Sequence, residues 1–326
     1  MTIQAIIFHY LEMLSVQNLR VKFTSPKVEV LRGVNLQIHA QNRVALVGES
    51  GCGKSLLALS ILGLLPAGAQ ITGGSIYFYQ TDLAQLSEQE YIGLRGKQIG
   101  LIFQDPMTAL NPVFTAGEQV AEVLRYHLKL SSSKAKREVL NLFQKIGFRE
   151  PKRIYHSYPH ELSGGMRQRV LIALAVCCKP KLLIADEPTT ALDVTTQAQV
   201  IKLLTSIQQE QKSALLFISH DLSLVSGFCT YIYVMYLGEI VEQGVLGTVL
   251  NNPLHPYTQG LIASIPLIDQ DKNLRPIPGF IPPLDELPLG CVFHPRCAQK
   301  IPICEKQVPP YIKKSSSQSV RCWLYN

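Results

Sequence analysis

The stretch RVALVGESGCGKSLLALSIL, Arg43–Leu62, decides the fold. A short β-branched run ends at Val47, the eight residues GESGCGKS follow as Gly48–Ser55, and an apolar run opens directly behind them. This is G-x-x-x-x-G-K-[ST] between a strand and a helix. In that setting the backbone amides face nucleotide phosphates, Lys54 reaches the β- and γ-phosphates, and the Ser55 hydroxyl is offered to Mg²⁺. Gly48, Glu49, Ser50, Gly51, Cys52, Gly53, Lys54 and Ser55 are therefore the candidate phosphate-binding residues. Cys52 stands where a helix N-terminus lowers a thiol pKa, but its expected contribution is its backbone amide. The alternative is a glycine-rich turn without a ligand.

Further β-branched runs alternate with helical stretches along the chain. QIGLIF (98–103), KLLIADE (181–187) and SALLFIS (213–219) read as strands, and apolar strands separated by helices indicate a parallel α/β sheet. GEQVAEVLRYHLKL (117–130) and KAKREVLNLFQKIG (134–147) read as helices of an insertion spanning about 105–178. Proline- and cysteine-containing sequence without long periodicity begins near Asn251, which sets an expected boundary there. The first twelve residues are expected to form an extension outside the fold, since alternation begins just after Met13. The expected division is 1–12, 13–250 and 251–326.

Composition limits the classes. The chain has 326 residues, 47% of them hydrophobic, and a net charge of +7 with Lys and Arg scattered. That balance suits an anionic ligand or a membrane surface and does not require nucleic acid. The longest apolar runs, LLALSILGLL (56–65) and VLIALAVCC (170–178), fall short of the ~20 residues that cross a bilayer. The N-terminus carries no Lys or Arg ahead of its apolar stretch and no small-residue cleavage site, so a cytosolic chain is expected. Eight cysteines in such a chain are not a disulfide framework.

LLIADEP, Leu182–Pro188, ends an apolar strand in two carboxylates. Asp186 is placed to hold the magnesium shell and Glu187 to polarise an attacking water. LSGGMRQRV, Leu162–Val170, opens a helix on paired glycines, which costs roughly 1 kcal/mol per glycine relative to alanine but lets an anion approach the amides.

With these motifs on one chain, the sequence resembles an ATP-binding-cassette ATPase. LSGGMRQRV is similar to that family's signature, FQDP with Gln104 to its Q-loop, ALD with Asp193 to its D-loop, and ISHD with His220 to its switch histidine. The resemblance implies an α/β P-loop NTPase core with a parallel sheet, an antiparallel β subdomain, a helical insertion and a small Pro/Cys-rich C-terminal extension. It implies head-to-tail pairing with a second ATP-binding subunit, whose phosphate loop faces Ser163, Gly164 and Gly165. His220 is then the γ-phosphate contact that orients Glu187, and Gln104 senses Mg²⁺ and the water. Phe23 resembles the aromatic that stacks on adenine, its alternative being an ordinary core phenylalanine. No catalytic position departs from the family pattern, which implies a working ATPase using ATP and Mg²⁺.

FQDPMTALNPVFTAGEQV (103–120), YPHELSGGMRQRVLIALA (158–175) and NPLHPYTQGLIASIP (252–266) narrow the resemblance to the ATP-binding subunits of dipeptide, oligopeptide and nickel importers, more D-type than F-type. The implied partners are two integral-membrane permease subunits, a paralogous ATP-binding subunit and, indirectly, a substrate-binding protein, with no nucleic acid. The implied place is the cytoplasmic face of the inner membrane. Cargo stays open among dipeptides, longer peptides, glutathione and nickel. Cys291, Cys297, Cys304 and Cys322 are separated by 5, 6 and 17 residues, without a C-x-x-C pair. The resemblance associates such a pattern with a [4Fe–4S] cluster, while zinc and unliganded thiols remain alternatives and His294 a substitute ligand. A soluble cassette ATPase acting on ribosomes or DNA is the competing class. The single cassette, the lack of a long heptad run and the His255-Pro256-Tyr257 segment count against it.

Overall fold

The computed structural model describes residues 12–190, 192–265 and 277–326. The expected N-terminal extension therefore lies outside the described residues except Glu12, as do Ala191 of the ALD segment and Pro266. Two compact units are present: residues 1–85 with 219–326, and residues 86–218.

The first unit opens with β1 (Glu12–Thr24), β2 (Lys27–His39), β3 (Arg43–Val47), α1 (Lys54–Ile61), β4 (Ala69–Phe78) and β5 (Thr81–Asp82). The second holds α2 (Glu88–Leu94), β6 (Ile99–Ile102), α3 (Pro106–Ala109), α4 (Ala116–Leu128), α5 (Ser132–Lys145), α6 (Pro151–His156), α7 (Gly164–Val176), β7 (Leu182–Asp186), α8 (Val194–Gln211) and β8 (Ala214–Ser219). The chain then completes the first unit with α9 (Leu222–Val225), β9 (Tyr231–Tyr236), β10 (Glu239–Val245), α10 (Leu246–Asn251), α11 (Pro256–Ala263), β11 (Tyr311–Ser315) and β12 (Gln318–Arg321).

In the first unit, β2-β1-β4-β5 form an antiparallel sheet. Its strands alternate: Val34, Leu36 and Ile38 of β2 are buried while Asn35 and Gln37 face outward, the period-2 pattern of a sheet with one wet face. β3 pairs in parallel with β9 through Val44↔Tyr231 and Val47↔Val234. β9, β10, β12 and β11 continue antiparallel.

In the second unit, β6, β7 and β8 are parallel, with Ile102↔Ala185 and Ala185↔Phe217 in register. Every residue of β7 and β8 is buried. A strand covered on both faces needs a continuous apolar run, which is why LLIAD and ALLFIS show no alternation. The insertion helices have the other periodicity. α4 buries Val120, Ala121 and Leu124, and α5 buries Ala135, Val139 and Phe143 at i, i+4 and i+8. Complete burial of one such side chain as Phe143 contributes about 2–3 kcal/mol.

The tail is more ordered than its texture predicts. After Asn251 it forms α11 and the hairpin β11–β12, and β12 joins the sheet on β10 through Glu242↔Val320 and Gly244↔Gln318. Glu242, fully buried, accepts from the amides of Leu254 (2.8 Å) and His255 (2.9 Å) and from Gln318 Nε2 (2.8 Å). A buried carboxylate so satisfied fastens the tail, and Leu254, Val320 and Cys322 make a small core beneath Leu324 and Tyr325.

Candidate nucleotide site

The phosphate loop lies between β3 and α1. Gly48 has no room for a side chain, since a Cβ there would stand 2.2 Å from the Met235 carbonyl oxygen. Gly53 begins α1 at φ 105°, a left-handed conformation that side chains resist. Lys54 is buried, and its ammonium donates to the carbonyls of Gly48 (2.8 Å) and Glu49 (3.0 Å). The cation is thereby poised over the loop. Burial pushes the Cys52 thiol up, outweighing the lowering by Lys54, opposite to what a helix N-terminus alone predicts. Cys52 therefore serves the loop through its backbone: its amide donates to Glu49 O (3.4 Å) and its carbonyl accepts from Gly238 (2.9 Å). Ser55 is half-buried in the first turn of α1, and Ser50 and Gly51 are exposed.

Two further candidates belong to the same unit. Phe23, on β1 opposite Val28 and Ala69, is half-buried. His220 is exposed on the turn after β8. Its neighbours fix that turn: the Asp221 amide donates to Ser219 Oγ (2.9 Å), and the Asp221 carboxylate caps α9 at Ser223 N (2.8 Å).

The carboxylate pair lies in the second unit. Asp186 ends β7 and Glu187 follows it, both buried. Glu187 has φ 44°, a costly backbone for a non-glycine residue, and its amide is tied to Ile218 O at 3.0 Å. Its Oε2 accepts from Gln104 Nε2 (3.1 Å) and Thr190 Oγ1 (2.9 Å). The Q-loop residue thus meets the candidate base directly. Thr190 was not among the sequence candidates, although it stands three residues after Glu187 and is polar.

Ser163 caps α7, its Oγ accepting from Met166 N at 3.4 Å, which leaves the hydroxyl proton for another acceptor. Beside it, a Cβ on Gly164 would meet nothing within 4 Å, so this helix start is open to an anion. Asp193 caps α8, accepting from Thr196 N and Oγ1, both at 2.9 Å, and these bonds hold its carboxyl below the usual range.

None of the four tail cysteines is joined in a disulfide. Burial pushes the thiol of Cys291 up to about 12 and that of Cys322 up to about 11, with neighbouring cysteines adding to both shifts. The four are within electrostatic reach of one another. Yet among the described residues no three His, Cys, Asp or Glu side chains are grouped closely enough to hold a metal ion. Convergence is what a bound metal demands, and these side chains do not converge in this fold. His294 Nδ1 lies 3.0 Å from Cys291 O, a backbone contact. Of the remaining cysteines, Cys178 and Cys229 are buried, whereas Cys177 is only half-buried, with Sγ donating to Leu174 O.

Residues 31–190 match the ABC transporter family model, and residues 241–304 match the oligopeptide/dipeptide transporter C-terminal region. The chain belongs to the ABC transporter family. It is 46% identical to the oligopeptide transport ATP-binding protein AppD of Bacillus subtilis, over 96% of this chain and 97% of that one. It is 45% identical to the dipeptide transport ATP-binding protein DppD of Bacillus subtilis, over 96% and 95%. Identity to the oligopeptide transport ATP-binding protein OppD of Escherichia coli is 44%, over 91% and 89%. Among solved structures, a dimeric post-hydrolysis state of the ATP-binding cassette MJ0796 with ADP and Pi superposes with a TM-score of 0.65 at 28% identity, covering 72% of this chain and 99% of that one. An ABC-transporter cassette of this kind is an ATPase. Among the described residues no helix is long and apolar enough to cross a membrane.

Proposed function

We propose that this chain binds and hydrolyses ATP to drive import of dipeptides or oligopeptides, docked on membrane-embedded permease subunits at the cytoplasmic face. The phosphate-loop amides and Lys54 take the β- and γ-phosphates, with Phe23 against adenine. Mg²⁺ bound with the nucleotide neutralises phosphate charge, and oxygen donors such as Ser55, Asp186 and Gln104 suit that hard cation. Glu187 accepts a proton from the attacking water as the water bonds to the γ-phosphorus and the bond to ADP breaks. Gln104 and Thr190 hold the carboxylate that receives this proton, and His220 contacts the γ-phosphate. Ser163, Gly164 and Gly165 complete the site of a second, head-to-tail subunit, and Asp193 lies in the segment between the catalytic carboxylates and α8.

The observation that carries this reading is Glu187, buried and gripped by Gln104 and Thr190 on a strained backbone. Its test is Glu187→Gln in the assembled transporter. ATP binding is retained while turnover falls by about 10²–10⁴-fold, the usual worth of a general base. Turnover within a few-fold of wild type contradicts the assignment.

The proposal extends to the tail. Cys291, Cys297, Cys304 and Cys322 are the donor set for a [4Fe–4S] cluster, a reading that rests on their pattern in the tail sequence; their side chains do not converge in this fold and would have to close on the metal as it binds. Anaerobically prepared chain then contains iron and acid-labile sulfide in equal amount; zinc, or no metal at all, contradicts it.

A further inference from the structure

The tail reaches back to the phosphate loop at Glu49. The Glu49 amide donates to Tyr257 Oη at 2.8 Å. Its carboxylate accepts from both terminal nitrogens of Arg296, at 2.7 and 3.0 Å, the two-pronged pairing that fixes direction as well as distance. The Arg296 side chain is only 4% exposed. Its Nε donates to Pro278 O at 3.1 Å, and its guanidinium lies 5.8 Å and 6.0 Å from the ring centres of Tyr236 and Phe293. Tyr257 is fully buried, packed on the same two rings at 4.7 and 5.4 Å. Burying a guanidinium is costly unless its partner is held in place, and here that partner belongs to the nucleotide loop.

Nothing in G-x-x-x-x-G-K-[ST] calls for a carboxylate at Glu49, because the motif leaves that position open to any residue. A bare carboxylate on this loop would also repel a polyphosphate. We propose that Tyr257 and Arg296 are positioning residues for nucleotide binding: they hold Glu49 by amide and carboxylate, presetting the phosphate loop and cancelling its negative charge. A loop fixed before the ligand arrives gives up less freedom on binding. The one-turn helix carrying Arg296 is bracketed by cysteines, with His294 N donating to Cys291 O (2.9 Å) and Cys297 N to His294 O (3.2 Å). This inference rests on the reading of Gly48–Ser55 as a nucleotide loop.

Equilibrium titration of the full chain with a fluorescent ATP analogue and Mg²⁺ tests it. Arg296→Ala raises Kd roughly tenfold, because the loop is no longer preset and its carboxylate is left uncompensated. Arg296→Lys, which keeps the charge but loses the fork, restores part of the loss. Tyr257→Phe, which keeps the packed ring and removes only the hydroxyl, raises Kd about threefold. The double variant Glu49→Ala, Arg296→Ala binds no more weakly than Arg296→Ala alone, because both changes break one link. Arg296→Ala and Tyr257→Phe binding as wild type, or fully additive losses in the double variant, overturns the clamp. If Lys54→Ala still abolishes binding in that event, the nucleotide loop stands without it. A wild-type chain that binds no analogue overturns both readings.

Discussion

At the scale of single residues, the site is built from conformations that side chains ordinarily avoid. Gly53 at φ 105° is the sharpest test, because a Cβ there meets Leu31 Cδ2 at 2.8 Å as well as the wrong backbone region. Gly53→Ala is expected to lower stability by about 1–2 kcal/mol in denaturant unfolding and to weaken nucleotide binding. An unchanged midpoint would show that the loop relaxes around the methyl group. Glu187 carries a comparable strain, and the bonds to Gln104, Thr190 and Ile218 hold it there. Most of this scale was legible in the sequence, since Gly48–Ser55, Asp186 and Glu187 announce themselves by spacing along one strand and one turn. Arg296 was not. Its partner lies 247 residues away, and no local pattern records which of many arginines will be buried against a loop carboxylate.

At the scale of elements, periodicity fails where burial is two-sided or where a segment is held by polar links. The apolar run after the phosphate loop suggests a helix to Leu65, yet α1 ends at Ile61, its cap Leu62 bonding back to Ala58. The tail offers no long period because its pieces are short and rely on Glu242, His255 and Gln318 for attachment. His255 begins α11, its Nδ1 accepting from Tyr257 N at 3.1 Å, with the Phe293 ring 5.6 Å away. Burial lowers its pKa to about 3. The folded chain thus keeps this imidazole neutral while the unfolded chain protonates it below about pH 6.5. The His255 contribution is fully present above pH 6.5 and falls by about 1.4 kcal/mol per pH unit from there toward pH 3. His255→Asn keeps a capping acceptor and removes the titration. Between pH 7 and 5 its unfolding free energy should decline less steeply than that of wild type, and parallel declines would remove His255 from the account.

At the scale of the whole molecule, the sequence supplies one phosphate loop, one carboxylate pair and one signature turn, and each unit contributes its own share. The unit of residues 1–85 and 219–326 carries the loop, His220 and the tail that grips Glu49. The unit of residues 86–218 carries Gln104, Glu187 and the exposed start of α7. The start of α7 is open to solvent, and a Cβ on Gly164 would meet nothing within 4 Å. Cargo leaves no mark on residues that meet only nucleotide, so it has to be measured in cells. The most direct test is uptake of a labelled dipeptide by cells whose only copy of this chain carries Glu187→Gln, beside cells with wild type. Loss of uptake with the variant protein present at normal level is the predicted result. Uptake equal to wild type, with no related ATPase substituting, would contradict the claim that hydrolysis at Glu187 drives peptide import.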